Sequence, residues 1–240
     1  MFTGKATDIP PGGSCAFQLP RDPSCASQAR SLVAATMRDL NFPIDSIEDA
    51  KLAVSELATN AHTHATSMSR PELWVWARTR PAPELVVSVF DTHRGIWPVS
   101  GDADLFDEHG KGLSIVAALS SEMGTHHTRS RLTTSRGKCV WFTLPLPTGW
   151  PTATHVITPA MAASRLSEVL RARGIPATCR GDDSGAPVIS VGALNIWMEA
   201  NVFSWRTSRG HVSQPLIDLQ EAAERIVNCH ETAGVSASPA

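Results

Sequence analysis

The sequence predicts an α+β protein built from two domains. Residues 22–65 carry apolar side chains at helical spacing, whereas residues 72–91 contain two runs rich in Val and Trp that are typical of strands. Residues 146–154 contain three Pro or Gly breakers and no periodicity, which indicates a domain boundary. We therefore predict a first domain over 15–147 and, after a linker over 148–153, a small second α+β domain over 154–232.

The first domain is predicted to alternate helices with strands. Residues 1–14 are rich in Gly and Pro and are predicted to be disordered. Asp22 and Pro23 are typical of a helix start, and Pro43 follows the end of that helix. The polar segment 92–112 shows little periodicity and is predicted to be a long loop. In chain order we predict a strand at 15–20, helices at 22–40 and 45–65, strands at 72–79 and 84–91, a helix at 112–123, and strands at 125–133 and 138–146.

The second domain is predicted to begin and end with a helix. Thr158 is a typical N-cap, Pro159 fits the first helical turn, and Gly174 follows the last one. Phe203 and Trp205 lie two apart on a predicted strand and so share a face, which we expect to pack in the core rather than to bind a partner. We predict helices at 159–173 and 214–230, strands near 175–180, 187–192, 194–200 and 202–207, and a frayed tail over 233–240.

Composition and charge exclude several classes of protein. The formal net charge is -2 and the basic residues do not cluster, so nothing favours direct binding to nucleic acid or to an anionic membrane. The 5 cysteines are isolated and form no CxxC pair, which argues against a disulfide framework and a zinc knuckle. No signal peptide and no apolar run of about 18 residues is visible. We therefore expect a cytoplasmic protein with free thiols.

The helix predicted at 45–65 carries an unusual polar pair, Glu56 and Asn60. Four residues of an α-helix turn through about 400°, so both side chains point the same way, almost opposite the apolar stripe. His64 lies one further turn along the same face. A solvated helix face would explain the pair, but few long charged residues surround it, so a binding site is the competing interpretation.

Two pairs of histidines are poor candidates for a metal site. His62 and His64 lie two apart on the predicted helix and face different sides. His126 and His127 are neighbours on a predicted strand and point to opposite faces. Neither pair can share one metal ion.

A second group of candidates runs from Asp91 to Gly112. Asp91 ends an apolar strand, where its carboxylate can accept a hydrogen bond from the amino group of adenine, and Gly95 would let a flat base approach the backbone. Gly110, Lys111 and Gly112 stand at a predicted helix start, which suits phosphate. An ordinary flexible loop is the alternative. The segment is neither a Walker A loop nor a complete GxGxxG fingerprint.

The order of these parts resembles the Bergerat-fold (GHKL) ATPases, which include histidine kinases, gyrase and MutL. Residues 20–147 most resemble the anti-sigma-factor Ser/Thr kinases of the RsbW and SpoIIAB type, especially the actinobacterial ones. The matching stretches are SELATNAHTHA, VVSVFDTHRGIWP, GKGLSIVAAL and RGKCVWFTLPLP. The resemblance implies that the first domain is an α/β sandwich, a mixed sheet with helices on one face. It does not extend to the second domain.

The resemblance also implies a role for each candidate residue. Asn60 would bind Mg²⁺ through its side-chain oxygen, and Glu56 would be the catalytic base that orients the attacking hydroxyl. Asp91 would bind the amino group of adenine, and Gly95 would shape the base pocket. The remaining residues expected to bind ATP are His64, Gly110, Lys111, Gly112, Leu113 and Thr143.

This chain departs from the family pattern at two positions. His93 stands at the middle position of Asp-x-Gly-x-Gly, and Lys111 stands where Arg is usual. The first change puts the hinge of the lid in doubt. The second keeps the charge but loses the forked geometry that clamps the γ-phosphate. Neither change removes recognition of Mg²⁺ or adenine.

The function implied by the resemblance is that of an anti-sigma-type regulator. It would bind ATP and Mg²⁺ and phosphorylate Ser or Thr of an anti-sigma antagonist, a STAS-domain protein, and so control a sigma factor. The alternative is a nucleotide-gated protein-binding regulator without kinase activity, which the extra second domain favours. Family analogy also implies a homodimer that would use residues 15–40.

Overall fold

The structure, a computed structural model, describes residues 2–63, 70–95, 111–151, 157–181, 185–199, 201–208 and 210–235. We keep the predicted boundary as a way of naming the two parts, and include residues 2–14 with the first domain. The elements of the first domain are then β1 (Phe2–Thr3), a 3-10 helix (Ala6–Asp8), β2 (Ser14–Gln18), α1 (Cys25–Asp39), α2 (Ile44–Thr63), β3 (Glu72–Arg78), β4 (Glu84–Asp91), α3 (Lys111–Leu119), β5 (Glu122–Arg129) and β6 (Arg136–Pro145). Those of the second domain are α4 (Pro159–Ala172), β7 (Thr178–Gly181), β8 (Pro187–Val191), β9 (Leu194–Glu199), β10 (Val202–Thr207), β11 (Gly210–Pro215) and α5 (Leu219–Val235).

The described strands form two sheets, which confirms the predicted α+β class. The first sheet has six strands in the order β1-β2-β3-β4-β6-β5, and the second has five in the order β11-β10-β9-β8-β7. Every pairing between described strands is antiparallel, so the expectation of a mixed sheet was wrong. Short turns join most of these strands directly, and an antiparallel sheet needs no helical crossover.

α1 and α2 cover one face of the first sheet. The apolar stripe of α2, which includes Val54 and Leu57, packs in one cluster with Val87 and Val89 of β4. Burial of such aliphatic side chains is worth about 1.5–3 kcal/mol each, so this stripe sets the rotation of α2 about its axis. That rotation leaves Glu56 half-buried at the margin of the contact.

The opposite face of the same sheet is covered by α5 of the second domain. Trp74, Trp76 and Phe90 point to this face and are almost fully buried. The Trp76 indole Nε1 donates a hydrogen bond of 3.2 Å to the Glu221 carboxylate on α5. All eight residues of β4 are therefore buried, and its central residues place apolar side chains on both faces, as in a strand that is covered on both sides.

Residues 2–14 are ordered, which corrects the prediction of disorder for this part of the N-terminal segment 1–14. Phe2 and Thr3 pair with β2, and the Lys5 N–H donates to the Asp8 carboxylate at 2.8 Å. Ile9 is fully buried in the core of the first domain. A high Gly and Pro content suggested disorder, but the apolar Ile9 and a free sheet edge provide enough contact to order the segment.

The second domain differs from its prediction at its C-terminal end. Strand β11 was missed because GHVSQP is polar along most of its length and lies at the edge of the sheet. Consequently α5 begins at Leu219 rather than at 214, and it continues to Val235 through part of the predicted tail. Phe203 and Trp205 are buried in the second core, as predicted.

Candidate functional site

Glu56 and Asn60 lie on the side of α2 that faces away from its apolar stripe. Both side chains are half-buried, whereas Thr59 between them is exposed. Four residues advance about 6 Å along a helix, so the carboxylate and the carboxamide stand one turn apart on one side. α2 also packs against α3, β4 and β6.

The N-terminus of α3 packs directly against Glu56. A Cβ atom built on Gly112 would lie 2.6 Å from Glu56 Oε2 and 3.5 Å from Glu56 Cβ, so only glycine fits without moving the carboxylate. Leu113 is buried in the first core and anchors this end of α3. A helix start carries unpaired backbone N–H groups and a partial positive charge, which a carboxylate or a phosphate can satisfy. The backbone of α3 at Gly112 therefore lies close to the Glu56 side chain, and a larger residue at 112 would displace the carboxylate.

Asp91 ends β4 on the same side of the sheet as α2. It alternates with Val87 and Val89, which belong to the helix-side core, and only 8% of the residue is exposed. Its Oδ1 accepts a hydrogen bond of 2.7 Å from the backbone N–H of His93. The carboxylate predicted to recognise adenine is thus held in place at the end of its strand.

Lys138 is a site residue that the sequence analysis missed. Its Nζ donates to both oxygens of Asp91, at 2.7 and 2.9 Å, and to the carbonyl oxygen of His93 at 2.6 Å. Asp91 and Lys138 are paired residues of β4 and β6, and both are buried. A signal was present in the sequence: Val140, Phe142 and Leu144 alternate on β6, so a lysine in the same phase has to meet a buried carboxylate.

Other predicted residues fall in three groups. His64 and Gly110 lie outside the described residues. Lys111 is the first residue of α3, where a helix start was predicted one residue later. Gly95 is exposed, and a Cβ atom added there would meet nothing within 4 Å, so the structure gives no packing reason for a glycine at this position.

Thr143, which was predicted to bind ATP, lies away from the other candidate residues. It pairs with Val86 across β4 and β6, and Val86 belongs to the cluster on the face that α5 covers. Its hydroxyl donates to the carbonyl oxygen of Glu122 at 3.4 Å. Thr143 therefore lies on the opposite face of the sheet from Asp91.

These residues together suit a nucleotide with a hard cation. Asn60 and Glu56 offer oxygen atoms, which are the donors that Mg²⁺ prefers. The start of α3 offers backbone N–H groups of the kind that bind phosphate. The glycine at 112 also lets the backbone of α3 come close to the polar face of α2.

Comparison with known proteins identifies a family and finds similar solved structures. The family model for the histidine kinase-like ATPase domain matches residues 19–144, more than half of the chain, and every residue predicted for the site lies in this range. The crystal structure of the RsbU and RsbW domains of Rv1364c from Mycobacterium tuberculosis is similar at 20% identity, with a TM-score of 0.40. That similarity covers 56% of this chain and 32% of the other, so this chain spans about a third of that length. No curated protein matches.

Proposed function

This chain belongs to the family of histidine kinase-like ATPase domains, and from that premise we propose that it binds ATP with Mg²⁺ between α2, the start of α3 and the Asp91 end of β4. The contact of Gly112 with Glu56 carries the proposal, because it brings a helix N-terminus to the polar face of α2. Asp91 also supports the proposal, because it lies on the same side of the sheet as α2 and is buried there.

Each residue has a task in this proposal. The Asn60 side-chain oxygen binds Mg²⁺, which neutralises charge on the phosphates when it is present. The backbone N–H groups at Gly112 and Leu113 hold phosphate oxygens. Asp91 accepts a hydrogen bond from the amino group of adenine with the oxygen that does not accept from the His93 N–H, and Lys138 holds the carboxylate in place.

The reaction we propose is transfer of the γ-phosphoryl group of ATP to a Ser or Thr hydroxyl. Glu56 accepts the proton of that hydroxyl as its oxygen bonds to phosphorus, and ADP leaves with the electrons of the broken P–O bond. The half-buried Glu56 carboxylate supports this role, because it lies next to the start of α3, whose N–H groups are proposed to bind the phosphates. The acceptor we propose is a STAS-domain antagonist of an anti-sigma regulator, and the pathway controls a sigma factor.

The test is a Glu56→Gln variant. The change removes the proton acceptor but keeps the size of the side chain, so we expect ATP affinity within about threefold of wild type and transfer reduced by about 10²–10⁴. Calorimetry with ATP and Mg²⁺ measures binding, and labelled ATP with purified STAS-domain proteins measures transfer. Glu48→Gln on the exposed side of α2 is the matched control and leaves both unchanged.

Two outcomes of that test separate the parts of the proposal. Failure of the wild-type chain to bind ATP would overturn the nucleotide site itself. Binding of ATP without transfer to any STAS-domain protein would overturn the kinase reaction alone.

A second candidate function is a nucleotide-gated protein-binding regulator without kinase activity. One contact favours it: Arg94, three residues after Asp91, forms an ion pair of 2.5 Å with Glu231 on α5. The second domain therefore holds the segment beside the proposed base pocket. In that case ATP would change the hydrogen exchange of α5 in full-length protein, and unchanged exchange would count against this function.

Where the protein acts and how it assembles are further proposals. No helix among the described residues combines the length and apolarity needed to span a bilayer. We propose separately, from the anti-sigma role proposed above, that the chain acts in the cytoplasm. A homodimer through residues 15–40 stays a prediction. In the structure β2 is paired on both sides, by β1 and β3, so that dimer would have to use the surface of α1 rather than the edge of β2.

A further inference from the structure

Three potential metal ligands meet where α5 lies on the second face of the first sheet. His126 Nε2 lies 3.3 Å from Cys139 Sγ and 3.4 Å from Glu224 Oε2. All three ligand atoms lie within 4.8 Å of one another. Cys139 and Glu224 are buried, and the His126 side chain is 18% exposed. The cluster is on the opposite side of the sheet from Glu56 and Asp91, so it is separate from the proposed nucleotide site.

The strand register explains why the cluster forms. His126 and Cys139 are directly paired residues of β5 and β6, and paired residues of an antiparallel ladder place their side chains on the same face. The third ligand, Glu224, comes from the second domain and reaches the same point from α5. The relevant partner of His126 is therefore the residue across the ladder and not its neighbour His127.

The distances fit a tetrahedral zinc site. Zinc lies about 2.0–2.1 Å from a histidine nitrogen, 2.3 Å from a cysteine sulfur and 2.0–2.2 Å from a carboxylate oxygen, which gives ligand-to-ligand edges of about 3.3–3.6 Å. The two separations from His126 agree with these edges, and the ligand atoms of Cys139 and Glu224 lie within 4.8 Å of each other. An ion could therefore bind with little movement of the backbone.

The chemistry of the donors selects the kind of ion. A thiolate with an imidazole and one carboxylate is a borderline-soft set, which suits Zn²⁺ and not Mg²⁺ or Ca²⁺. We propose that His126, Cys139 and Glu224 bind one Zn²⁺ ion, which links the second domain to the sheet of the first.

The surroundings of Glu224 leave one of its oxygens for the ion. Oε1 accepts hydrogen bonds from Arg173 at 2.6 Å and Arg131 at 2.9 Å, while Oε2 accepts from the Thr128 hydroxyl at 2.9 Å and faces His126. The two arginines orient the carboxylate but also offset its charge. We therefore expect weaker binding than in a structural site of four cysteines.

A cavity beside the cluster provides room for a fourth ligand. It has a volume of about 150 Å³ and is lined by His126 and Glu224 together with Glu122, Glu221 and Trp141. A water molecule occupies about 30 Å³ in the liquid and needs polar partners, both of which this cavity supplies. Water would complete the tetrahedron from this side.

The experiment uses the full chain, freed of metal by a chelator and then titrated with Zn²⁺ or Co²⁺. We expect one ion per chain by elemental analysis, and near-ultraviolet charge-transfer absorption of bound Co²⁺, which reports a cysteine ligand. Cys139→Ser and His126→Gln should each lose the tightly bound ion. Cys179→Ser and His211→Gln, which change exposed residues of the same types, should keep it.

A measurement on the wild-type protein tests the proposal even if the variants fail to fold. X-ray absorption of the zinc-loaded chain should show one sulfur at about 2.3 Å and the remaining ligands at about 2.0–2.1 Å. A zinc environment without sulfur, no stoichiometric ion in the wild type, or full binding by a folded Cys139→Ser chain would each overturn the proposal.

Discussion

The two faces of the first sheet are covered in different ways. On one face α1 and α2 bury mainly Ala, Val and Leu in a single apolar cluster. On the other face α5 brings Glu221, Glu224 and Glu231, which form ion pairs with arginines of the sheet and its turns. Arg131 also lies over the rings of Trp74 and Trp76, at 4.9 and 4.6 Å from their centroids.

The difference teaches what each face contributes. Apolar burial stabilises a contact in proportion to its area and tolerates rearrangement. A buried ion pair gains little net free energy, because desolvation offsets the attraction, but loss of one partner leaves an unpaired charge and is costly. The helix face thus supplies stability, and the α5 face specifies how the second domain docks.

Glu224 should show the largest effect on the free energy of unfolding. Burial raises the pKa of its carboxyl, but Arg173 and Arg131 outweigh burial and hold that pKa well below its ordinary value. Glu224→Ala leaves both guanidinium groups buried without this partner, so we expect a loss of about 4–5 kcal/mol. Urea unfolding with a chelator present, followed by tryptophan fluorescence, measures it.

Two further variants sharpen this comparison. Glu168→Ala, on the exposed side of α4, is the matched control and should change stability by less than about 0.5 kcal/mol. Replacement of Glu224, Arg131 and Arg173 together by Met should recover most of the loss, since none of these three charges is then left buried without its partner. A Glu224→Ala chain as stable as wild type would mean that the two faces do not differ in the proposed way.

Lys138 should show the next largest effect, because it is part of a buried ion pair on the otherwise apolar helix face. Lys138→Met leaves Asp91 without its charged partner, and we expect a loss of about 3 kcal/mol together with weaker ATP binding. Urea unfolding and calorimetry measure the two effects. Lys51→Met removes a more exposed ion pair on α2 and should cost less than about 1 kcal/mol. Equal effects of the two variants would contradict the role assigned to Lys138.

Glu231 should show the smallest of these effects and a dependence on pH. Burial raises the pKa of its carboxyl, but hydrogen bonds from Arg129 and Arg94, with the charge of Arg136, lower it below its ordinary value. His127 and His230 also lie in its electrostatic environment. Because the folded-state pKa is depressed, this stabilisation is complete above the unfolded pKa of about 4.3 and is lost as the pH falls through the folded value.

The variant that isolates this effect is Glu231→Gln. At pH 7 we expect it to be about 1–2 kcal/mol less stable than wild type, and the difference should shrink as the pH falls below about 4. Chemical unfolding of both chains from pH 7 to pH 3 measures this convergence. Glu199→Gln, at an exposed position on β9, should show no difference at any pH. A constant difference for Glu231→Gln across the range would exclude the ionised carboxylate as its source.

Local sequence pattern predicted most elements and much of the candidate site. α2 carries a regular apolar stripe, so its face and the direction of Glu56 and Asn60 followed from helical geometry alone. β11 lacks an apolar alternation and depends on pairing with β10, so no local signal marked it. Ile9 shows the reverse case, in which one buried side chain orders a segment of unfavourable composition.

The sequence by itself determined which faces of its helices and strands are apolar, and hence the α+β class, the polar face of α2 and the family. Only the tertiary structure decided which charges meet: Lys138 with Asp91 across two strands, and Glu224 of α5 with Arg131, Arg173 and the His126–Cys139 pair. The physical reason is the distance along the chain over which each property is set. Periodicity is a property of neighbouring residues, whereas a buried charge is stabilised by partners far away in the chain, and strand register and domain docking select those partners.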